Sequence, residues 1–304
     1  MANTYTVDDL TSGRLGKLDP PARLAVIGDP VAHSKSPAFQ NAALRASEID
    51  AQYVAIHVTP DELPTALRAL PDHGFIGTNV TVPHKTATRA LVDELDPSVA
   101  LAGGVNTVVV RDDSTLQGFT TDGPGFARAI REEFSVDLRD LRILILGAGG
   151  GAGRAIAAQC ANAHCERLVL VNRTEQKVRQ LAAELAPYFR SDRLEGPVER
   201  LEAIPHDPTT IARHLDYVDL IVNATTLGMK RSDPPLLPSS LITPNLMVYD
   251  TVYATGQSRL IEDALDNGAR AASGLTMLLH QGALSFETWF NRDAPLAAMR
   301  QALK

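Results

Sequence analysis

The sequence predicts an α/β fold in two domains, and three observations carry that prediction. The chain has 304 residues, and at about 150 residues per domain that length divides into roughly two, each able to bury a core. Short apolar runs alternate with stretches of helical spacing, the pattern of strands joined by helices. Midway along, a wholly apolar strand over 141–146 runs straight into a glycine-rich turn and an alanine-rich helix, which is how a βαβ unit opens.

The elements follow in order. Residues 1–20 are polar, show no clear period and read as a loose leader; Asp8 and Asp9, with no apolar stretch beside them, exclude a signal peptide. Residues 24–27 form a strand ended by the turn Gly28-Asp29-Pro30, and residues 38–46 have helical spacing. A strand over 53–58, a helix over 61–70 and a strand over 75–82 come next, the last stopped by Pro83. Two short strands, 105–111 and 116–119, flank the turn Asp112-Asp113-Ser114. The alternation predicts parallel pairing. A second unit opens near Gly125 with a helix over about 125–133, followed by the strand at 141–146, a helix from about 151, a strand over 168–171 and a helix from about 175. Later strands fall at 220–222 and 247–249, and Pro234, Pro235, Pro238 and Pro244 mark the stretch between them as loop. The C-terminal stretch around Trp289 is helical in pattern.

Composition narrows the function. The chain is 44% hydrophobic, too apolar for a disordered protein. Its 29 Lys+Arg against 36 Asp+Glu, net −7, argue against a nucleic-acid partner. Two cysteines, Cys160 and Cys165, make neither a disulfide framework nor a Cys-rich zinc site, and are expected to pack a helix and its following turn. No run approaches the ~18 apolar residues of a membrane span. The expectation is a soluble, cytoplasmic protein of two domains, with neither nucleic acid nor membrane as partner.

The most specific local pattern is G-x-G-x-x-A, formed by Gly147, Ala148, Gly149, Gly150, Gly151 and Ala152. Gly147 permits the tight turn, Gly149 lets backbone approach a pyrophosphate, and the small Ala152 allows close helix–strand packing. The helix N-terminus supplies free N–H groups. A P-loop is excluded because Arg154 and Ala155 stand where Lys and Ser/Thr are needed. The next strand ends in Asn172-Arg173-Thr174, with Lys177 one turn on. An NAD site would place Asp or Glu there for the ribose hydroxyls, whereas a planar Arg cation suits the 2′-phosphate of NADP. The plainer alternative is a solvated Arg beside a Thr that caps the next helix.

Three polar clusters lie at predicted strand ends, where α/β sheets place ligands. His33-Ser34-Lys35-Ser36-Pro37 sets two hydroxyls before a helix, suited to a carboxylate or to simple capping. In Asn79-Val80-Thr81-Val82-Pro83-His84-Lys85, Asn79 and Thr81 alternate with valines and share one strand face, and Lys85, just past its end, reads in isolation as a surface lysine. Asn106-Thr107 and Thr120-Thr121-Asp122-Gly123 form the third cluster, in which Asp122 could cap the helix that follows.

Taken together these motifs resemble the shikimate dehydrogenase family, from about Ile27 to Phe290. The resemblance runs through Gly28 to Pro37, Asn79 to Lys85, Ala102 to Thr107, Thr121-Asp122-Gly123, Asn172-Arg173-Thr174, Asn223 to Met229, Asp250 to Tyr253, and Gly274 to Gly282 with Phe286 and Trp289. It implies an α/β protein of two domains, an N-terminal α/β substrate domain (1–122 plus 276–304) and a Rossmann-like NADP-binding domain (123–275), with the active site in the cleft between them. It implies reversible, NADP-linked interconversion of shikimate and 3-dehydroshikimate in aromatic amino-acid (chorismate) biosynthesis. On this reading Ser34 and Ser36 bind the substrate carboxylate, and Thr81, Lys85, Asn106, Asp122 and Gln281 surround the ring hydroxyls. Tyr253 lies by the substrate, while Thr251 and Gly274 contact the cofactor together with Gly147 to Ala152, Asn172, Arg173, Thr174 and Lys177. A homodimer is compatible with the resemblance.

Alcohol oxidation needs a base within reach of the hydroxyl as hydride leaves carbon. The chain has no HExxH metal cluster and no G-x-S-x-G elbow, so Lys85 with Asp122 is the proton relay visible. Whether Lys85 alone is the acid/base or shares that role stays open. Three positions depart from the family pattern: Thr120 for the usual Asn, Gln40 for a common histidine, and Ala254 for a frequent proline. A quinate/shikimate enzyme of broader specificity, NAD-using, and a non-catalytic NADP-binding sensor are the competing readings.

Overall fold

The computed structural model describes residues 3–190, 199–253 and 257–304, so Ala254 lies outside the described residues. The chain forms two compact units, one comprising residues up to Thr121 with Leu278–Lys304, the other Asp122–Met277. Among the described residues no helix is long and apolar enough to cross a membrane, and no cluster of His, Cys, Asp or Glu is grouped to hold a metal.

The first unit is built on seven strands: β1 Thr4–Tyr5, β2 Ala22–Gly28, β3 Gln52–His57, β4 Gly77–Val80, β5 Glu94–Leu95, β6 Thr107–Val110 and β7 Leu116–Phe119. Their order is β1-β3-β2-β4-β6-β7-β5. β2 and β3 are covered on both faces and so read as continuous apolar runs. Ala25, Ile27, Val54 and Ile56 pack with Leu63, Leu67 and Leu70 of the helix Leu63–Asp72. Leu24, Val26, Tyr53 and Ala55 pack with Phe39 and Leu44 of the helix Ser36–Ala46, and with Leu279, Phe286 and Trp289 of the helix Leu275–Phe290.

Two expectations are corrected in this unit. The sheet is mixed, because β6 pairs antiparallel with both β4 and β7. The short Asp112-Asp113-Ser114 turn between β6 and β7 is a hairpin connection, which cannot carry a parallel crossover. Nor are residues 3–20, the described part of that stretch, a loose leader. β1 pairs with β3, and the helix Val7–Thr11 carries a capping box in which Thr6 and Asp9 satisfy each other's backbone amides. Val7, Leu10 and Leu15 are buried in the main core. The Thr6-x-x-Asp9 spacing and the i, i+3 pair Val7 and Leu10 were the available signal.

The second unit holds β8 Arg142–Leu146, β9 Arg167–Asn172, β10 Leu201–Pro205, β11 Leu220–Asn223, β12 Met247–Asp250 and β13 Arg270–Ser273. All pair in parallel, in the order β10-β9-β8-β11-β12-β13. This is the doubly wound arrangement, in which the chain starts at the centre and winds outward in both directions. The order reverses between β8 and β11, and the C-terminal ends of those two strands open the crevice where such sheets bind ligands. β10 and β13 escaped the sequence reading because β13 is Arg-Ala-Ala-Ser, weak in strand propensity, and β10 ends in proline. The first helix here begins at Asp122, ahead of the expected start near Gly125, since Pro124 is tolerated within a first turn. Cys160 and Cys165 are fully buried at the end of the helix Gly151–Asn162 and its turn. Burial pushes the Cys165 thiol up to about 12, so it packs as an apolar group.

Candidate active site

In the first unit, the loop after β2 leads to Ser34 and Ser36. Lys35 occupies the position before the helix Ser36–Ala46 and its side chain caps nothing. Capping therefore does not account for Ser36, and the Ser36 amide donates to Ser34 Oγ at 3.2 Å. The buried Ser36 hydroxyl is hydrogen bonded to the phenol of Tyr53, whose ionisation burial pushes well above the usual tyrosine range. Tyr53 donates in turn to Asn79 Oδ1 at 2.7 Å.

β4 ends at Val80, short of the expected 82, although the Thr81 amide still bonds the Ile27 carbonyl of β2 at 2.9 Å. Asn79 therefore sits in the sheet and is buried, while Thr81 is half-buried just beyond the strand. Lys85 opens the short helix Lys85–Thr88, and its carbonyl accepts from the Val105 amide at 2.9 Å. That bond draws the Lys85 backbone against the Gly104-Val105-Asn106 segment.

Asn106 is at the centre of a buried polar group. Its Nδ2 donates to Thr121 Oγ1 at 2.9 Å and to Gln281 Oε1 at 3.3 Å. Its Oδ1 accepts from the Thr121 amide at 2.8 Å. Asn106 and Gln281, distant in sequence and both expected in the site, thus touch. Gln40 ties the helix that starts at Ser36 to the helix carrying Gln281, donating through Nε2 to the Gly282 carbonyl at 2.8 Å. The family departure at position 40 is accordingly structural in effect.

In the second unit the glycine-rich turn is pressed into the point where the strand order reverses. Gly147 has φ +83°, and a Cβ there would lie 2.6 Å from Thr225 Cγ2, just beyond β11. A side chain at Gly149 would meet Asn172 Nδ2 and Lys177 Cβ at 3.0 Å, so the turn lies against the Asn172-Arg173-Thr174 corner. The Arg154 amide makes the first intrahelical bond, to the Gly150 carbonyl at 2.8 Å. The amides of Gly151, Ala152 and Gly153 therefore have no carbonyl of the helix behind them, and nothing lies within 4 Å of a Cβ built on Gly151. An anion fits there, at a helix N-terminus lined by backbone donors.

Two sequence expectations for this turn change. Ala148 is fully buried and its amide bonds the Val171 carbonyl at 3.1 Å, so it shapes the turn and offers a ligand nothing. The close helix packing assigned to Ala152 belongs to Gly153, where a Cβ would lie 2.3 Å from the Gly147 carbonyl oxygen. Ala152 is only half-buried.

At the end of β9, Asn172 Nδ2 donates to the Thr174 carbonyl at 3.0 Å. Arg173 and Lys177 are exposed, and Thr174 precedes the helix Glu175–Phe189 without capping it through its side chain. The simple capping explanation of that corner is thereby lost. Thr251 and Gly274 pack together, the Thr251 oxygen lying 2.1 Å from where a Gly274 Cβ would be. Beneath them, Asn223 donates to the buried Asp250 at 2.8 Å, a support the sequence signalled only by the recurrence of both residues at strand ends. Burial pushes the Asp250 carboxyl above the ordinary range. The Tyr253 phenol is also raised, by burial first and by the Asp122 carboxylate second.

A parallel sheet of this order, with an open glycine-lined helix N-terminus at its reversal point, defines the class of dinucleotide-binding α/β proteins. Comparison with known proteins makes the assignment particular. A family profile described as the shikimate dehydrogenase substrate binding domain matches residues 26–108. One described as shikimate / quinate 5-dehydrogenase matches 128–227, and one described as the shikimate 5'-dehydrogenase C-terminal domain matches 274–304. The shikimate dehydrogenase (NADP(+)) of Methanopyrus kandleri is 41% identical over 92% of this chain and 94% of its own. Among solved structures, the shikimate dehydrogenase of Aquifex aeolicus matches with TM-score 0.82 and 31% identity, over 93% of this chain and 98% of that one. The shikimate 5-dehydrogenase of Thermus thermophilus, in complex with NADP(H) and shikimate, matches with TM-score 0.80 and 34% identity over the same shares. The chain belongs to the shikimate dehydrogenase family.

Proposed function

We propose that this chain catalyses the reversible, NADP-linked interconversion of shikimate and 3-dehydroshikimate in aromatic biosynthesis. The observation that carries the reading is that a relative named for this reaction aligns over 92% of the chain, matching the substrate half and the cofactor half together. We assign substrate binding to the unit ending at Thr121 with its C-terminal helices, and NADP binding to Asp122–Met277.

The Ser34 and Ser36 hydroxyls hold the substrate carboxylate. Thr81, Asn106, Gln281 and Tyr253 receive the ring hydroxyls, and the carboxamides supply both donors and acceptors for them. NADP, when bound, supplies the two-electron acceptor that takes hydride from the carbinol carbon. The amides of Gly151, Ala152 and Gly153 face its pyrophosphate, with Gly147, Gly149 and Gly150 shaping the approach. Arg173 and Lys177, beside Asn172 and Thr174, meet the 2′-phosphate with charge-assisted bonds. Thr251 and Gly274 complete the cofactor contacts.

In the oxidation direction the Lys85 amine accepts the hydroxyl proton as hydride leaves the same carbon, and a C=O bond forms. In reduction Lys85 returns that proton to the carbonyl oxygen, and Asp122 orients it. Both ligands are small anions, and a cytoplasmic enzyme is the reading that suits them. A non-catalytic sensor would have no use for Lys85 and Asp122.

Shikimate carrying deuterium on the carbinol carbon tests the chemistry. The label is expected in the reduced cofactor, with 3-dehydroshikimate formed in equal amount. Binding of NADP with no transfer of label would leave only the sensor.

A further inference from the structure

The side chains that receive the ring hydroxyls do not stand alone in the first unit; they rest on a buried hydrogen-bond node. Ser285 is fully buried, one turn beyond Gln281 on the helix Leu275–Phe290. Its hydroxyl donates to the Gln281 carbonyl at 3.0 Å. Its oxygen receives Asn79 Nδ2 at 2.9 Å and lies 2.8 Å from Thr107 Oγ1 and 3.3 Å from Thr121 Oγ1.

The protons can be assigned without conflict. Ser285 gives its single proton to Gln281, so the Thr107 hydroxyl donates to Ser285. Thr121 then donates to Asn106 Oδ1 at 3.2 Å, and Asn106 Nδ2 to Thr121 Oγ1 and Gln281 Oε1. Asn79 Nδ2 also reaches the Asn106 carbonyl at 3.1 Å. Removing the Ser285 hydroxyl takes away one acceptor for Thr107 and one for Asn79 together. The Thr107 hydroxyl, already 3.1 Å from Asn106 Oδ1, then donates there, and the hydrogen bonding that orients the Asn106 carboxamide changes.

We propose that Ser285 is a positioning residue, whose hydroxyl locks the Asn106 carboxamide and the Gln281-bearing helix into the geometry that receives the substrate ring hydroxyls. The proposal rests on the reading that Asn106 and Gln281 contact substrate. Ser285 lies in an apolar helical run, where a lone serine signals nothing until the fold brings Thr107, Thr121 and Asn79 to it.

The test is a double-mutant cycle of Ser285→Ala with Gln281→Ala, read as kcat/KM for shikimate and as the Kd of NADP+. S285A alone is expected to lower kcat/KM about tenfold, the size of one or two well-placed hydrogen bonds. NADP+ affinity should stay within about twofold. In the Q281A background S285A should cost clearly less than it does alone, because one of the two groups it positions is gone and only Asn106 remains. Ser285→Thr, which keeps the hydroxyl, should restore most of the loss. S285A activity within twofold of the parent would overturn the proposal, as would an equal S285A effect with and without Gln281. If S285A does not fold, the isosteric Thr107→Val cuts the same node, and the same cycle is read on it with the same criteria. Inactivity of the parent protein toward shikimate, or an inert Q281A, would instead overturn the substrate-site reading on which the proposal stands.

Discussion

Lys85→Ala is expected to lower kcat for shikimate oxidation about a thousandfold, within the range that a positioned general acid/base supplies. KM for shikimate should change far less, because Ser34, Ser36, Asn106 and Gln281 remain. The loss should be equal in both directions, since the same amine takes the proton in oxidation and returns it in reduction. Thermal unfolding separates any loss of stability from the loss of chemistry. The Lys85 side chain is only half-buried, and the bond from the Val105 amide goes to its backbone carbonyl, which alanine keeps. Steady-state kinetics with shikimate and with 3-dehydroshikimate, alongside thermal unfolding, check this. A folded K85A protein turning over within tenfold of the parent at saturating substrate would remove Lys85 from the mechanism.

Arg173→Ala is the second large effect expected. A guanidinium gives a 2′-phosphate charge-assisted hydrogen bonds worth about 1.5–3 kcal/mol, so NADPH should bind about 10- to 100-fold more weakly. NADH, which lacks that phosphate, should bind within about twofold of the parent. Because Arg173 is exposed, the loss should shrink at high salt, where surface electrostatics are screened. Fluorescence titration of both reduced cofactors at low and high ionic strength measures each part. Equal weakening of both cofactors would mean that Arg173 supports the turn and does not read the phosphate.

The cofactor half was the more legible part of the chain. An apolar strand, a glycine turn and a helix occupy one contiguous stretch, and Gly147, Gly149 and Gly153 there each answer a local steric demand. Even so, Gly153 and not Ala152 makes the close approach of helix to turn, because helix packing is decided by where the carbonyl of Gly147 points and not by motif position. The net charge of −7 concealed the local cations: Arg173 and Lys177 stand on one corner of an acidic chain.

The substrate half was legible as motifs but not as a network. Asn106 and Gln281 are separated by most of the sequence, and no periodicity announces that they touch. Ser285 carried no signal, since its partners come from β4, β6 and the chain before Asp122. The N-terminal elements were missed for a different reason. β1 is two residues long, and it exists because β3 offers it an edge, which is a tertiary cause. The antiparallel β6 was likewise decided by a short turn against the prevailing alternation of strands and helices.

The central claim is that shikimate and NADP are the ligands this chain is built for. Steady-state kinetics with shikimate and quinate, each with NADP+ and NAD+, test it most directly. The value of kcat/KM for shikimate with NADP+ is expected to exceed each of the other three by about tenfold or more, the discrimination that a misfit hydroxyl or a missing phosphate imposes. Turnover of quinate with NAD+ alone, and none of shikimate with NADP+, would contradict it.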